Sequence, residues 1–145
     1  MTSPENILLR LSPRDDIYVR ELFEHLEGMG FPKQNQSPHI SVTFARQMQP
    51  QVVERAKDIL PGCVPATLRR AGVVTFGVKR KQTLAWLLEG SDELETAARE
   101  LSALNPEGRG SRWIPHLTLG LRLPREIVPD YIRALDELKI GRAHV

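Results

Sequence analysis

One cysteine, Cys63, occurs in 145 residues. That count excludes an internal disulfide and is expected of a reducing compartment. With no histidine or second cysteine near it in sequence, the thiol reads as a structural group rather than a nucleophile. No apolar run approaches the ~20 residues that a membrane-spanning helix needs. The segment Met1-Thr2-Ser3-Pro4-Glu5 lacks the basic and apolar regions of a secretory signal, so a cytoplasmic location without membrane contact is expected. Excess charge is also missing: a net +2 is too small to coat a duplex. This excludes duplex DNA as a partner and leaves nucleic acid to be met locally, at an end or as a short single strand. Carboxylates do not cluster beside the histidines, so neither a metal nor any other cofactor is expected. At 41% hydrophobic residues, the chain fits one globular domain spanning 1–145, read as a monomer, with no room for a second.

Only four histidines are present, and two of them head near-identical tetrads, His39-Ile40-Ser41-Val42 and His116-Leu117-Thr118-Leu119, each entered through a proline (Pro38, Pro115). Chance yields such a pair on the order of a few times in ten thousand shuffled chains of this composition. In an extended strand, side chains alternate faces. His39 and Ser41 therefore share one face while Ile40 and Val42 enter the core, and the second tetrad repeats this. Two imidazoles and two hydroxyls converging on one point suit a tetrahedral phosphate that is attacked on one side and loses an alkoxide on the other.

Strand and helix signals alternate in the same order twice. A strand over 6–11 precedes Ser12-Pro13, a cap and first-turn proline, and a helix to Gly28 with Ile17, Val19, Leu22, Phe23 and Leu26 as its buried stripe. The His39 strand, a helix opened by Pro50 and a long strand from Ala66 to Val78, kinked at Gly72, complete this half. In the second half a strand over 83–88 leads to a helix capped by Ser91 with Leu94, Ala97, Ala98, Leu101 and Leu104 inward. The His116 strand, a helix carrying Tyr131, Ile132, Leu135 and Leu138, and a short final strand over 140–145 follow. An offset of 77 positions superposes His39 on His116, Leu9 on Trp86 and Ile17 on Leu94. This indicates an internal duplication with halves near 1–75 and 76–145.

The paired Pro-His-aliphatic-Ser/Thr-aliphatic strands, the Gly72…Phe76…Leu84-Ala85-Trp86-Leu87 hairpin between them and the approach Trp113-Ile114-Pro115 resemble the two-histidine phosphoesterases. Within that superfamily they are most similar to the LigT-like, or 2′-5′ RNA ligase, branch. The resemblance implies an α+β, bilobal fold whose two antiparallel sheets form a central cleft with helices outside. It implies metal-independent chemistry on 2′,3′-cyclic phosphate ends of RNA or nucleotides, or on 2′-5′ phosphodiester linkages, including reversible ligation. His39 and His116 would be the acid–base pair, and Ser41 and Thr118 would hold the phosphate oxygens. Ser41 stands where Thr is commoner in the family. Leu121 occupies the place of a frequent arginine, with Arg122 one residue later.

Further candidate substrate contacts are Thr43, Arg122 and Trp113. Strand parity puts Arg122 on the face of His116 and Thr118, within reach of an anion. The same parity turns Phe44 to the core, leaving Trp113 as the base-stacking candidate. His25 near a helix C-terminus, His144 in the tail and the solvated turn Lys79-Arg80-Lys81 are not site candidates. Two classes of function follow: a His-His phosphodiesterase on an RNA end or a small cyclic or 2′-5′ nucleotide, and a module of the same fold that grips a phosphorylated ligand without turning it over. Retention of a matched acid and base with both hydroxyls favours the enzyme.

Overall fold

A computed structural model describes residues 4–138 and 142–144. Ten main elements run in the order β1 (Glu5–Arg10), α1 (Pro13–Gly28), β2 (His39–Ala45), α2 (Pro50–Ile59), β3 (Thr67–Phe76), β4 (Lys81–Glu89), α3 (Asp92–Leu104), β5 (His116–Pro124), α4 (Val128–Asp136) and β6 (Arg142–His144). The architecture is α+β, and the order βαβαβ occurs twice. No helix among the described residues is long and apolar enough to cross a membrane.

Local chemistry sets the helix starts. Ser12 Oγ accepts from the amide of Asp15 at 3.3 Å, Pro13 opens α1, and Asp15 and Asp16 sit in its first turn, where the helix dipole favours negative charge. Ser91 caps α3 in the same way, accepting from Leu94 N at 3.2 Å ahead of Asp92, Glu93 and Glu95. The buried stripe of α1 is Val19, Leu22, Phe23 and Leu26. Ile17, expected in that stripe, is 57% exposed, because at 3.6 residues per turn it lies roughly 160° round from Val19. Leu104, at the end of α3, is likewise exposed. The α1 stripe answers to Leu94, Ala97, Ala98 and Leu101 on α3, two residues short of the offset that aligns the strands. The helices of the two halves therefore match in pattern but not in that register.

The strands form two antiparallel sheets. One is β1-β2; the other is β5-β4-β3, with the short β6 added on the outer edge of β3 through Thr67–Arg69. Thus β3, which closes the first half, pairs with β4, which opens the second, whereas β6 stays beside β3. The expected ends of the last strand, Ile140 and Val145, lie outside the described residues. Within β3 the register shifts between Arg70 and Gly72, the place where a kink was expected. Helices and sheets share one apolar core in which Leu26, Ile40, Leu84, Trp86, Leu94 and Leu119 are buried. Cys63 is half-buried, with its thiol donating to Ile59 O at 3.4 Å.

Candidate active site

β2 and β5, the two tetrad strands, come together with Cα atoms within 8 Å although they belong to different sheets. Both behave alike at their starts. Ile40, Val42, Leu117 and Leu119 are buried, as alternation requires, while His39, Ser41, His116 and Thr118 are half-exposed. His39 Nδ1 lies 2.7 Å from the carbonyl of Ser37, and His116 Nδ1 lies 2.7 Å from the carbonyl of Ile114. A carbonyl can only accept, so each imidazole carries hydrogen on Nδ1 and, when neutral, leaves its Nε2 lone pair free. One backbone turn, entered through a buried proline, produces the same ring orientation twice.

The two strands also share an irregularity that alternation did not foresee. In β2 the register against β1 shifts between Ile7 and Leu8, so that Ile7 faces Thr43 but Leu8 faces Ser41, and Val42 is bulged. In β5 the register shifts between Leu84 and Ala85, which face Gly120 and Thr118, and Leu119 is bulged. An extra residue swaps the faces of everything after it. Phe44 is therefore 58% exposed, not in the core. Thr43 is buried instead, and its Oγ1 accepts from the Asn105 amide at 2.9 Å. A second shift between Gln82 and Leu84, together with a positive φ of 52° at Arg122, breaks β5 again. Counting from His116 thus does not fix the face of Arg122, which is exposed. Tyr131 braces the β5 bulge, its buried hydroxyl donating to Leu119 O at 2.5 Å; burial raises the phenol's pKa.

Each strand is held by the connection that precedes the other. Trp113 Nε1 donates to Ser41 O at 2.8 Å, and Asn105 donates to Phe44 O at 3.0 Å, so the loop before β5 is tied to β2. Gln34, buried in the connection before β2, accepts from Leu121 N at 2.8 Å on β5. Trp113 is consequently a strut as well as a half-exposed ring. Asn6 on β1 donates its side-chain N–H to Ser41 Oγ at 2.8 Å. The serine's own hydrogen remains free to donate elsewhere.

The environment of His116 differs from that of a solvated imidazole. Its pKa is lowered, chiefly by burial and further by the charges of His39 and Arg109; the hydrogen bond to Ile114 works in the opposite direction. Phe76 of β3 packs against it, the rings tilted by 51° with centroids 4.7 Å apart. The neutral form is therefore favoured at His116, and the effect of His39 places the two imidazoles within electrostatic reach of each other. A small cavity is lined by Ser41, Thr43, Trp113 and His116 and extends to Arg109 and Arg112. Thr118, Arg122 and His39 do not line it.

Sequence reasoning did not single out Asn6, Gln34, Asn105 or Arg109, and it named Phe76 only as part of the hairpin between the tetrads. Their roles depend on contacts between segments far apart in the chain. No family model matches the sequence, and comparison with curated proteins gives no match.

Proposed function

We propose that the protein is a metal-independent phosphodiesterase acting on 2′,3′-cyclic phosphate ends of RNA or nucleotides, in keeping with its resemblance to the LigT-like two-histidine phosphoesterases. In this reading the two sheets are the lobes of a duplicated, bilobal cleft, with β2 and β5 at its floor. The observation that carries the proposal is the matched pair of Nδ1–H···O=C bonds at His39 and His116, which frees two Nε2 atoms for proton transfer. Structural histidines have no need of the same tether twice, whereas an acid–base pair does.

The environment of His116 supports one assignment of the roles. His116, held toward its neutral form by burial and neighbouring positive charge, takes a proton at Nε2 from water as the water oxygen bonds to phosphorus. His39, protonated at Nε2, gives its proton to the departing ribose oxygen as the P–O bond breaks. The family resemblance implies a 2′-phosphate product, which makes the 3′-oxygen the leaving group. Ser41 O–H and the Thr118 hydroxyl donate to the equatorial phosphate oxygens as charge builds there. Proton transfers of this kind are each worth roughly 10²–10⁴ in rate. Among the described residues no three His, Cys, Asp or Glu side chains gather to hold a metal ion, and the mechanism uses none.

Hydrolysis of adenosine 2′,3′-cyclic phosphate should proceed in excess EDTA. The acid limb of its kcat/KM profile reports the base, because activity rises as His116 loses its proton. Since the pKa of His116 is lowered, that limb should fall below the ordinary imidazole value of about 6.5. Arg109→Gln should move it upward by removing a repelling charge. Turnover abolished by chelation and restored by a divalent ion would refute the proposal. Tight nucleotide binding without turnover would favour the phosphate-gripping module instead.

A further inference from the structure

The cavity beside His116 does not end at the two tetrads. Its lining takes in Ser41 and His116 together with Arg109 and Arg112, and does not include His39 or Thr118. Its volume is about 80 Å³, several times the space that one water molecule needs. A phosphate-sized group fits there. Neither guanidinium has a hydrogen-bond or ion-pair partner among the described residues. The acid lining the same cavity, Glu107, is occupied elsewhere, accepting from Arg46 N at 3.3 Å and pairing with its Nε at 3.7 Å. The charge of Arg109 nonetheless reaches His116.

The loop that carries these arginines is firmly placed. Asn105 and Trp113 tie it to β2, Arg109 N donates to Ser102 Oγ at 3.2 Å, and Gly108 N donates to Asn105 O at 2.8 Å. A Cβ at position 108 would be driven into the Ser102 carbonyl, so the turn is built around a glycine. Two guanidinium groups without a partner among the described residues, on a fixed loop that lines one phosphate-sized space with Ser41 and His116, make a setting for a second anion beside the reacting one.

We propose that Arg109 and Arg112 bind the phosphodiester adjacent to the reacting phosphate, so that the preferred substrate is an oligonucleotide end and not a mononucleotide. This inference rests on the phosphodiesterase reading for its substrate class. Guanidinium–phosphate hydrogen bonds are charge-assisted and gain strength from a paired donor geometry. They require the neighbouring linkage to be anionic, which a neutral isostere tests.

Three substrates decide it: adenosine 2′,3′-cyclic phosphate, the dinucleotide GpA ending in the same cyclic phosphate, and that dinucleotide with a neutral methylphosphonate linkage. The anionic dinucleotide should exceed the other two in kcat/KM by about tenfold, equivalent to about 1.4 kcal/mol. Its plot of log kcat/KM against log salt should be steeper by about 0.7 for the one added phosphate. Arg112→Gln should erase the advantage while leaving kcat/KM for the mononucleotide unchanged. Equal rates for anionic and neutral dinucleotides, or an equal loss on all three substrates in Arg112→Gln, would overturn the subsite and leave the phosphodiesterase reading standing. If none of the three is hydrolysed, that reading falls. The dissociation constants of GpA 2′-phosphate and its methylphosphonate analogue then judge the subsite alone: a preference for the anion that Arg112→Gln removes supports it, and equal binding overturns it.

Discussion

Replacing either His39 or His116 with alanine should cut turnover of a 2′,3′-cyclic nucleotide by roughly 10³-fold, within the 10²–10⁴ expected of a lost acid or base, and replacing both should cost little more. The two side chains act on one reaction step. Once one is missing, the other has no concerted partner, and effects that belong to a unit do not add. Each imidazole is half-exposed and makes one short bond to a backbone carbonyl two residues back. Truncation should therefore leave the thermal melt close to wild type. Independent, multiplying losses in the double variant would show that the histidines assist binding separately, contrary to the acid–base reading.

The hydroxyls should matter less, and unequally in cause. Ser41→Ala and Thr118→Val should each lower kcat by up to 10²–10³-fold, about 2–4 kcal/mol at most, as donors aimed at developing charge do. Ser41 has a support that Thr118 does not share among the described residues: the Asn6 amide donates to its Oγ at 2.8 Å, which leaves the serine hydrogen free to donate elsewhere. Asn6→Ala should then reduce kcat by a smaller factor, and this loss should vanish in a Ser41→Ala background. A persistent Asn6 effect in that background would mean that Asn6 acts on something other than the serine.

How much of this was readable from sequence depended on whether a signal was local. Caps announced α1 and α3, since Ser12 and Ser91 satisfy donors only three residues away, and Pro13 marked the first turn of α1. Period-two alternation correctly buried Ile40, Val42, Leu117 and Leu119. It failed one residue later in both strands, because a bulge is a relation between two strands and leaves no period of its own. Phe44 and Thr43 exchange exposure for that reason, while a second shift and the positive φ at Arg122 leave its face unfixed by counting. Gly120 did carry a hint: a glycine inside a strand often marks a bulge or a close approach, and a Cβ there would run into Leu123 and Tyr131. Val42 offers no such mark. Ile17 failed differently, since an aliphatic residue just ahead of a helical stripe looks like part of it until the contact face is known. The clamps made by Asn105, Gln34 and Trp113 join segments more than 60 positions apart, beyond any pattern of neighbours.

The central claim is that both imidazoles are tethered at Nδ1 and present Nε2 to one shared phosphate. Long-range ¹H–¹⁵N NMR of the histidine rings tests it most directly, recorded across pH with and without adenosine 2′-phosphate. The account predicts that His116 is neutral at pH 7 with its hydrogen on Nδ1, and titrates below the ordinary imidazole range because burial and nearby positive charge oppose its protonation. It also predicts that His39 and His116 both shift when the nucleotide is added. A neutral His116 carrying its hydrogen on Nε2, or a nucleotide that perturbs only one of the two rings, would contradict it.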